Sequence, residues 1–127
     1  MKEKYLICRK CGNIVKMVKE GNGTISCCGT EMEELVANTV DAAKEKHIPV
    51  YVKEENKIIV TVGEVNHPMQ EEHYIEWILI KTNKGISKKD LKPNDKPEAS
   101  FILCDDEKLE EVYAYCNLHG LWKNEVK

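Results

Sequence analysis

Apolar residues alternate with polar ones over most of this chain, and they seldom recur at helical spacing. Val50 and Val52 alternate with Tyr51 and Lys53, and Ile58, Val60 and Val62 with Ile59 and Thr61. The polar Glu54-Glu55-Asn56 between these runs reads as a hairpin turn. Tyr74–Ile80 reads as a longer strand, apolar on both faces around Glu76. Ala99–Cys104 and Glu111–Cys116 add two more strands. Lys84-Gly85 and the stretch Lys88 to Pro97 read as loops, the charges from Lys84 to Lys96 as solvated, and Asp105–Lys108 as a solvated turn. Short strands at regular spacing predict an antiparallel sandwich from Ile48 onward.

The first residues behave differently. Tyr5–Ile7, Ile14–Val18 and Thr24–Ser26 are short strand-like pieces. The last two flank Gly21-Asn22-Gly23, a hairpin signal because Asn-Gly tolerates positive φ. About 35 residues cannot bury enough apolar surface to fold unaided. A staple is needed, and a metal ion supplies one. The pattern divides the chain into residues 1–36 and 37–127. Leu35 to Lys46 reads as a linker, in which Asp41 could N-cap one helical turn through Lys46.

Composition narrows the class. The chain has 127 residues, 32% charged and 42% hydrophobic, so it is globular rather than disordered. A net charge of −3 gives no electrostatic case for nucleic acid or an anionic membrane. The longest apolar run, Trp77 to Ile80, cannot cross a bilayer. Lys2, Glu3 and Lys4 are not followed by the apolar stretch of a signal peptide. Six cysteines without a secretory signal point to metal or redox chemistry in a reducing, cytoplasmic setting.

Four of the six lie in the first 28 residues. Cys8-x-x-Cys11 places two thiolates on one ion, and Cys27-Cys28 offers a second pair. Together they make a tetrahedral four-cysteine site, which suits zinc and iron alike. Adjacent cysteines share an ion only if the backbone bends between them, and Gly12 and Gly29 follow the two pairs. The other candidate ligands lie in strand-end or loop contexts: His47 before Ile48-Pro49, His67 and His73 around Pro68-Met69-Gln70-Glu71-Glu72, and Cys116 with His119 in one turn. If they converge, four imidazoles and a thiolate exceed what structural zinc takes. They favour a five-coordinate iron with one open position. Cys104 ends an apolar strand and reads as a small buried residue. Trp77, Trp122 and Met69 read as packing.

Five motifs in order resemble the desulfoferrodoxin family, the two-iron superoxide reductases of anaerobic and microaerophilic prokaryotes. They are Cys8-x-x-Cys11, Cys27-Cys28, Glu45-Lys46-His47-Ile48-Pro49-Val50, His67-Pro68-Met69 through His73-Tyr74-Ile75-Glu76-Trp77-Ile78, and Tyr115-Cys116-Asn117-Leu118-His119-Gly120-Leu121-Trp122. The resemblance implies an all-β molecule: a desulforedoxin-like domain with iron, or zinc, on Cys8, Cys11, Cys27 and Cys28, then an immunoglobulin-like sandwich. It implies a second iron with His47, His67, His73 and His119 equatorial and Cys116 axial. Superoxide is then reduced to hydrogen peroxide without oxygen evolution, detoxifying it in an anaerobe. Lys46 is expected to steer superoxide and organise a proton-donating water, and Glu45 to cap the iron after turnover. The resemblance also implies rubredoxin or a similar small electron donor, and a homodimer.

Two other classes explain part of the pattern. One is a zinc knuckle fused to an interaction module. The other is an electron carrier that uses only the four-cysteine iron. Both leave the histidines and Cys116 idle.

Overall fold

The structure, a computed structural model, describes residues 3–126. The chain forms two compact units, Met1–Val36 and Ala37–Lys127.

In the first unit, β1 (Tyr5–Ile7) is the central strand of a three-stranded antiparallel sheet, between β2 (Ile14–Lys16) and β5 (Glu33–Leu35). A separate two-stranded ribbon joins β3 (Ser26–Cys27) to β4 (Thr30–Glu31). Its core is small: Leu6, Cys8 and Met32, with Val15, Met17 and Cys27 against them. The expected hairpin around Gly21-Asn22-Gly23 does not form. β2 pairs with β1 across the Cys8–Cys11 turn, and β3 pairs with β4 across Cys28-Gly29. Cys28 (φ 54) and Gly29 (φ 74) take the positive φ values, and Asn22 does not. Two successive residues at positive φ suit the two-residue turns that match strand twist. The cysteine-bearing turns, not the Asn-Gly, set the pairing.

In the second unit two antiparallel sheets form a sandwich. The ten residues before the first sandwich strand include one short helical turn, α1 (Lys44–His47). Its N-cap is Ala43 without a side-chain hydrogen bond, so Asp41 does not cap it as expected. One sheet has the order β10 (Glu98–Ile102), β7 (Lys57–Val62), β6 (Pro49–Glu54). The other runs β12 (Gly120–Glu125), β11 (Leu109–Cys116), β8 (Ile75–Thr82), β9 (Gly85–Asp90). The core takes alternate residues from each strand: Ile58, Val60 and Val62 from β7, Ile78 and Ile80 from β8, Ala99 and Phe101 from β10, and Val112, Ala114 and Cys116 from β11. This is the period-2 pattern of a sheet with one face on the core.

Three local readings need correction. β9 lies within the stretch read as loop, because every one of its residues is exposed and three are charged. It is an edge strand, and charge on an edge blocks pairing with another chain. β12 was not foreseen, although Leu121 and Trp122 are buried in it. Cys104 is exposed rather than buried. Phe101 and Leu103 face the core, so Ile102 and Cys104 must face out.

Candidate metal centres

The first centre is built on two turns. The Gly12 N–H donates to the Cys8 carbonyl at 2.8 Å, and the Cys8 N–H to the Asn13 carbonyl at 2.9 Å, which folds Cys11 back toward Cys8. Cys27 ends β3, and Cys28 occupies the left-handed turn beside it. The four sulfurs lie within 4.8 Å of one another. Cys11 Sγ is 3.6 Å from Cys27 Sγ, which is 4.0 Å from Cys28 Sγ. The positive φ of Cys28 is how two adjacent cysteines present their sulfurs to one point.

Their acidities show what the cluster lacks. The N–H groups of Cys11, then burial in opposition, then the N–H of Lys10, leave the Cys8 thiol pulled down to about 7. The neighbouring thiols of Cys11, Cys27 and Cys8 push Cys28 up to about 12. Sulfurs this close cannot all ionise without a cation among them. A divalent ion that prefers thiolate in a tetrahedron fits these residues, and iron and zinc both do.

The second centre draws on four segments of the sandwich unit. His47 ends α1. His67 and His73 lie in the connection between β7 and β8. Cys116 ends β11, and His119 lies in the short turn to β12. Ligand atoms of His47, His67, His73 and Cys116 lie within 4.8 Å of one another. His119 joins them: its Nδ1 is 3.0 Å from His47 Nε2 and 3.9 Å from Cys116 Sγ. The ladder between β8 and β11 shifts register between Tyr115 and Cys116. Such irregularities re-aim a side chain at the end of a strand.

The tautomers are fixed from behind. His47 Nδ1 sits 2.7 Å from the Ala43 carbonyl, and His67 Nδ1 2.6 Å from that of Pro68. A carbonyl only accepts, so each Nδ1 carries the proton and each Nε2 presents a lone pair. Those two Nε2 atoms face each other at 3.1 Å. His73 Nε2 is buried and has no hydrogen-bond partner. Burial holds His47 and His73 below the usual imidazole range and pushes His67 down to about 4, so the rings are neutral near pH 7. Lone pairs aimed at one another and an orphaned buried nitrogen are what a cation resolves. Burial raises the Cys116 thiol, while the N–H groups of His119 and Leu118 pull the other way. Those donors would stabilise its thiolate.

Trp122 stacks on His47 with ring centroids 4.9 Å apart, and its Nε1–H donates to the His119 carbonyl at 3.1 Å. Trp122 is fully buried. It therefore links the sandwich core to two of the candidate ligands. Met69 packs on the core, and its sulfur accepts the Ile75 N–H at 3.4 Å, so its expected packing role holds. The anchors of His47 and His67 are backbone carbonyls, which leave no mark in a sequence. Glu45 and Lys46 are both exposed on α1. Lys46 lies close enough for its charge to oppose protonation of His47. The Glu45 carboxylate borders a cavity of about 330 Å³ with Lys44, Ile48, Val50, Glu64 and Asn124. Among the described residues, no helix is long and apolar enough to cross a membrane.

Comparison with known proteins agrees with this geometry. Residues 39–125 match the family described as desulfoferrodoxin, and residues 2–35 the desulfoferrodoxin N-terminal domain. A desulfoferrodoxin of Syntrophotalea carbinolica is 51% identical over 118 residues, covering 93% of this chain and 92% of its own. Among solved structures, the superoxide reductase of Treponema pallidum superposes with a TM-score of 0.84 at 37% identity, covering 98% of this chain and 100% of that one. The superoxide reductase of Giardia intestinalis, a 1Fe-SOR, matches at 36% identity with a TM-score of 0.57, covering 66% of this chain and 99% of its own. With both family segments matched in order and both clusters of metal-binding side chains in place, the chain belongs to the desulfoferrodoxin family.

Proposed function

We propose that His47, His67, His73, His119 and Cys116 hold the iron at which this chain, a superoxide reductase, converts superoxide to hydrogen peroxide. The observation that carries this assignment is the convergence of lone pairs: two anchored Nε2 atoms facing each other, an orphaned third, and a buried sulfur alongside. These residues would hold iron through four imidazole nitrogens and one thiolate. Superoxide takes up one electron and two protons to become hydrogen peroxide, and no oxygen is evolved. Iron, when bound, supplies that electron.

The chain's own groups do the rest. The carbonyls of Ala43 and Pro68 keep His47 and His67 in the tautomer that offers Nε2. The N–H groups of His119 and Leu118 stabilise negative charge on Cys116 Sγ, and that sulfur donates electron density across the site. Lys46, one residue from His47, attracts the superoxide anion and orders a water that donates protons. Glu45, on the same turn, would cap the site after turnover. Cys8, Cys11, Cys27 and Cys28 hold a second metal, iron or zinc, that staples a unit of about 35 residues, too small to bury a sufficient core unaided. Residues 1–36 are thus the four-cysteine metal domain and residues 37–127 the catalytic domain.

Electrons come from rubredoxin or a similar small carrier. The working compartment is a reducing cytoplasm, where thiolate ligands are kept from oxidising to disulfides. We extend the proposal to a homodimer, because a unit of about 35 residues gains stability from a surface to pack on. The ligand assignment is tested by metal content and peroxide yield. The native chain is expected to bind two metals, and His47→Ala or Cys116→Ser one, without superoxide-dependent peroxide. Cys11→Ser is expected to lose the other metal and keep making peroxide. Peroxide formation that survives in His47→Ala and Cys116→Ser would refute it.

A further inference from the structure

We infer that Asn117 is a positioning residue for His73, doing from the backbone what carbonyls do for the other histidines. The inference rests on the reading of His73 as a metal ligand. His47 and His67 are each oriented by a hydrogen bond to the nitrogen turned away from the centre. The backbone of His119 is held by Trp122. His73 Nε2 is buried without a hydrogen-bond partner, and its backbone is tied to Gln70 by a reciprocal pair of 2.9 and 3.0 Å. The peptides on either side of His73 set where its ring stands.

Asn117 grips both of them. Its Oδ1 accepts the Tyr74 N–H at 3.0 Å, and its Nδ2 donates to the Glu72 carbonyl at 3.1 Å. Its own backbone N–H donates to the Tyr74 carbonyl at 3.3 Å. One residue thus clamps the segment Glu72-His73-Tyr74 from both ends. It does so from the turn that carries Cys116 and His119. The separation between His73 and that turn is set by the length of one carboxamide. A side chain with one donor and one acceptor on a short stem is required, which aspartate, leucine or alanine cannot supply.

The consequence is that metal retention at the second centre depends on Asn117 only through His73. The test uses the full chain with iron in both centres and follows release to a ferrous chelator, with the four-cysteine centre as internal control. Asn117→Ala is expected to speed release from the His/Cys centre by about tenfold to a hundredfold, the usual cost of losing an outer-shell partner. Release from the cysteine centre should not change. Asn117→Asp keeps the acceptor for Tyr74 and loses the donor for Glu72, so it should fall between. On a His73→Ala background, Asn117→Ala should add nothing further, because the two act as a unit. The thiolate-to-iron absorption band should shift in the same direction in Asn117→Ala and His73→Ala. Unchanged release in Asn117→Ala, or a full additional effect on the His73→Ala background, would overturn the inference. If His73→Ala itself left release unchanged, the ligand assignment would fail instead.

Discussion

At the residue scale, burial keeps three rings of the second centre, those of His47, His67 and His73, neutral. That has a pH consequence in the metal-free protein. Burial pushes His67 down to about 4 and holds His47 and His73 below their ordinary value, whereas in the unfolded chain they titrate near 6.5. Below that value the unfolded chain binds more protons than the folded one, so stability rises with pH across the window. The contribution is fully present above about 6.5 and is lost as pH falls toward 4. Urea unfolding of metal-free protein should show a lower midpoint at pH 5 than at pH 7, with a smaller drop in His67→Gln. Equal drops in the two proteins would contradict this. The residues that converge there were legible in the sequence as candidates, because four histidines and a Cys-x-x-His in loop contexts are an unusual inventory. Which nitrogen each ring turns inward was not legible. His119 brings Nδ1 and His47 brings Nε2 because of where their backbones stand, and no residue type encodes that.

At the element scale, close backbone contact holds α1 in place. The Val65 N–H donates to the Glu45 carbonyl at 2.9 Å, and the His67 N–H to that of Val62 at 2.9 Å. Gly63 lies beneath this turn. A Cβ there would stand 2.7 Å from the Glu45 carbonyl oxygen and 2.9 Å from that of Ile48. Both are backbone atoms and cannot swing aside. Gly63→Ala is therefore expected to cost about 1–3 kcal/mol. It should also empty the His/Cys centre selectively, since α1 carries His47. Denaturant unfolding and metal content per chain measure both effects, and full occupancy with unchanged stability would refute the contact. Gly63 gave no signal in the sequence, because its role depends on neighbours fifteen and eighteen residues away. The first unit shows the opposite case: Gly21-Asn22-Gly23 gave a turn signal that the fold does not use as a hairpin. Local turn preference lost to the pairing set by the cysteine turns. β9 was missed for a related reason, since a charged edge strand has the composition of a loop.

At the scale of the whole molecule, the sandwich was legible because one face of each inner strand is almost purely aliphatic. Its energetics follow. Ile78 is fully buried, on the core face of a strand paired on both sides. Ile78→Ala is expected to cost about 2–5 kcal/mol. The loss should appear as an earlier denaturant midpoint, and a change below half a kilocalorie would contradict the packing described. The metal centre stands at the end of that core, joined to it by Cys116 and Trp122. Rigidity of the sandwich is what holds five side chains from four segments to one point.

The most direct measurement of the central claim is optical. Iron-loaded protein is reduced anaerobically and given a pulse of superoxide, and the visible spectrum is followed while peroxide and oxygen are assayed. A transient thiolate-to-iron band, absent in Cys116→Ser, with peroxide formed and no oxygen released, is the expected result. With iron confirmed in the His/Cys centre, the absence of both band and peroxide would contradict superoxide reduction at that centre.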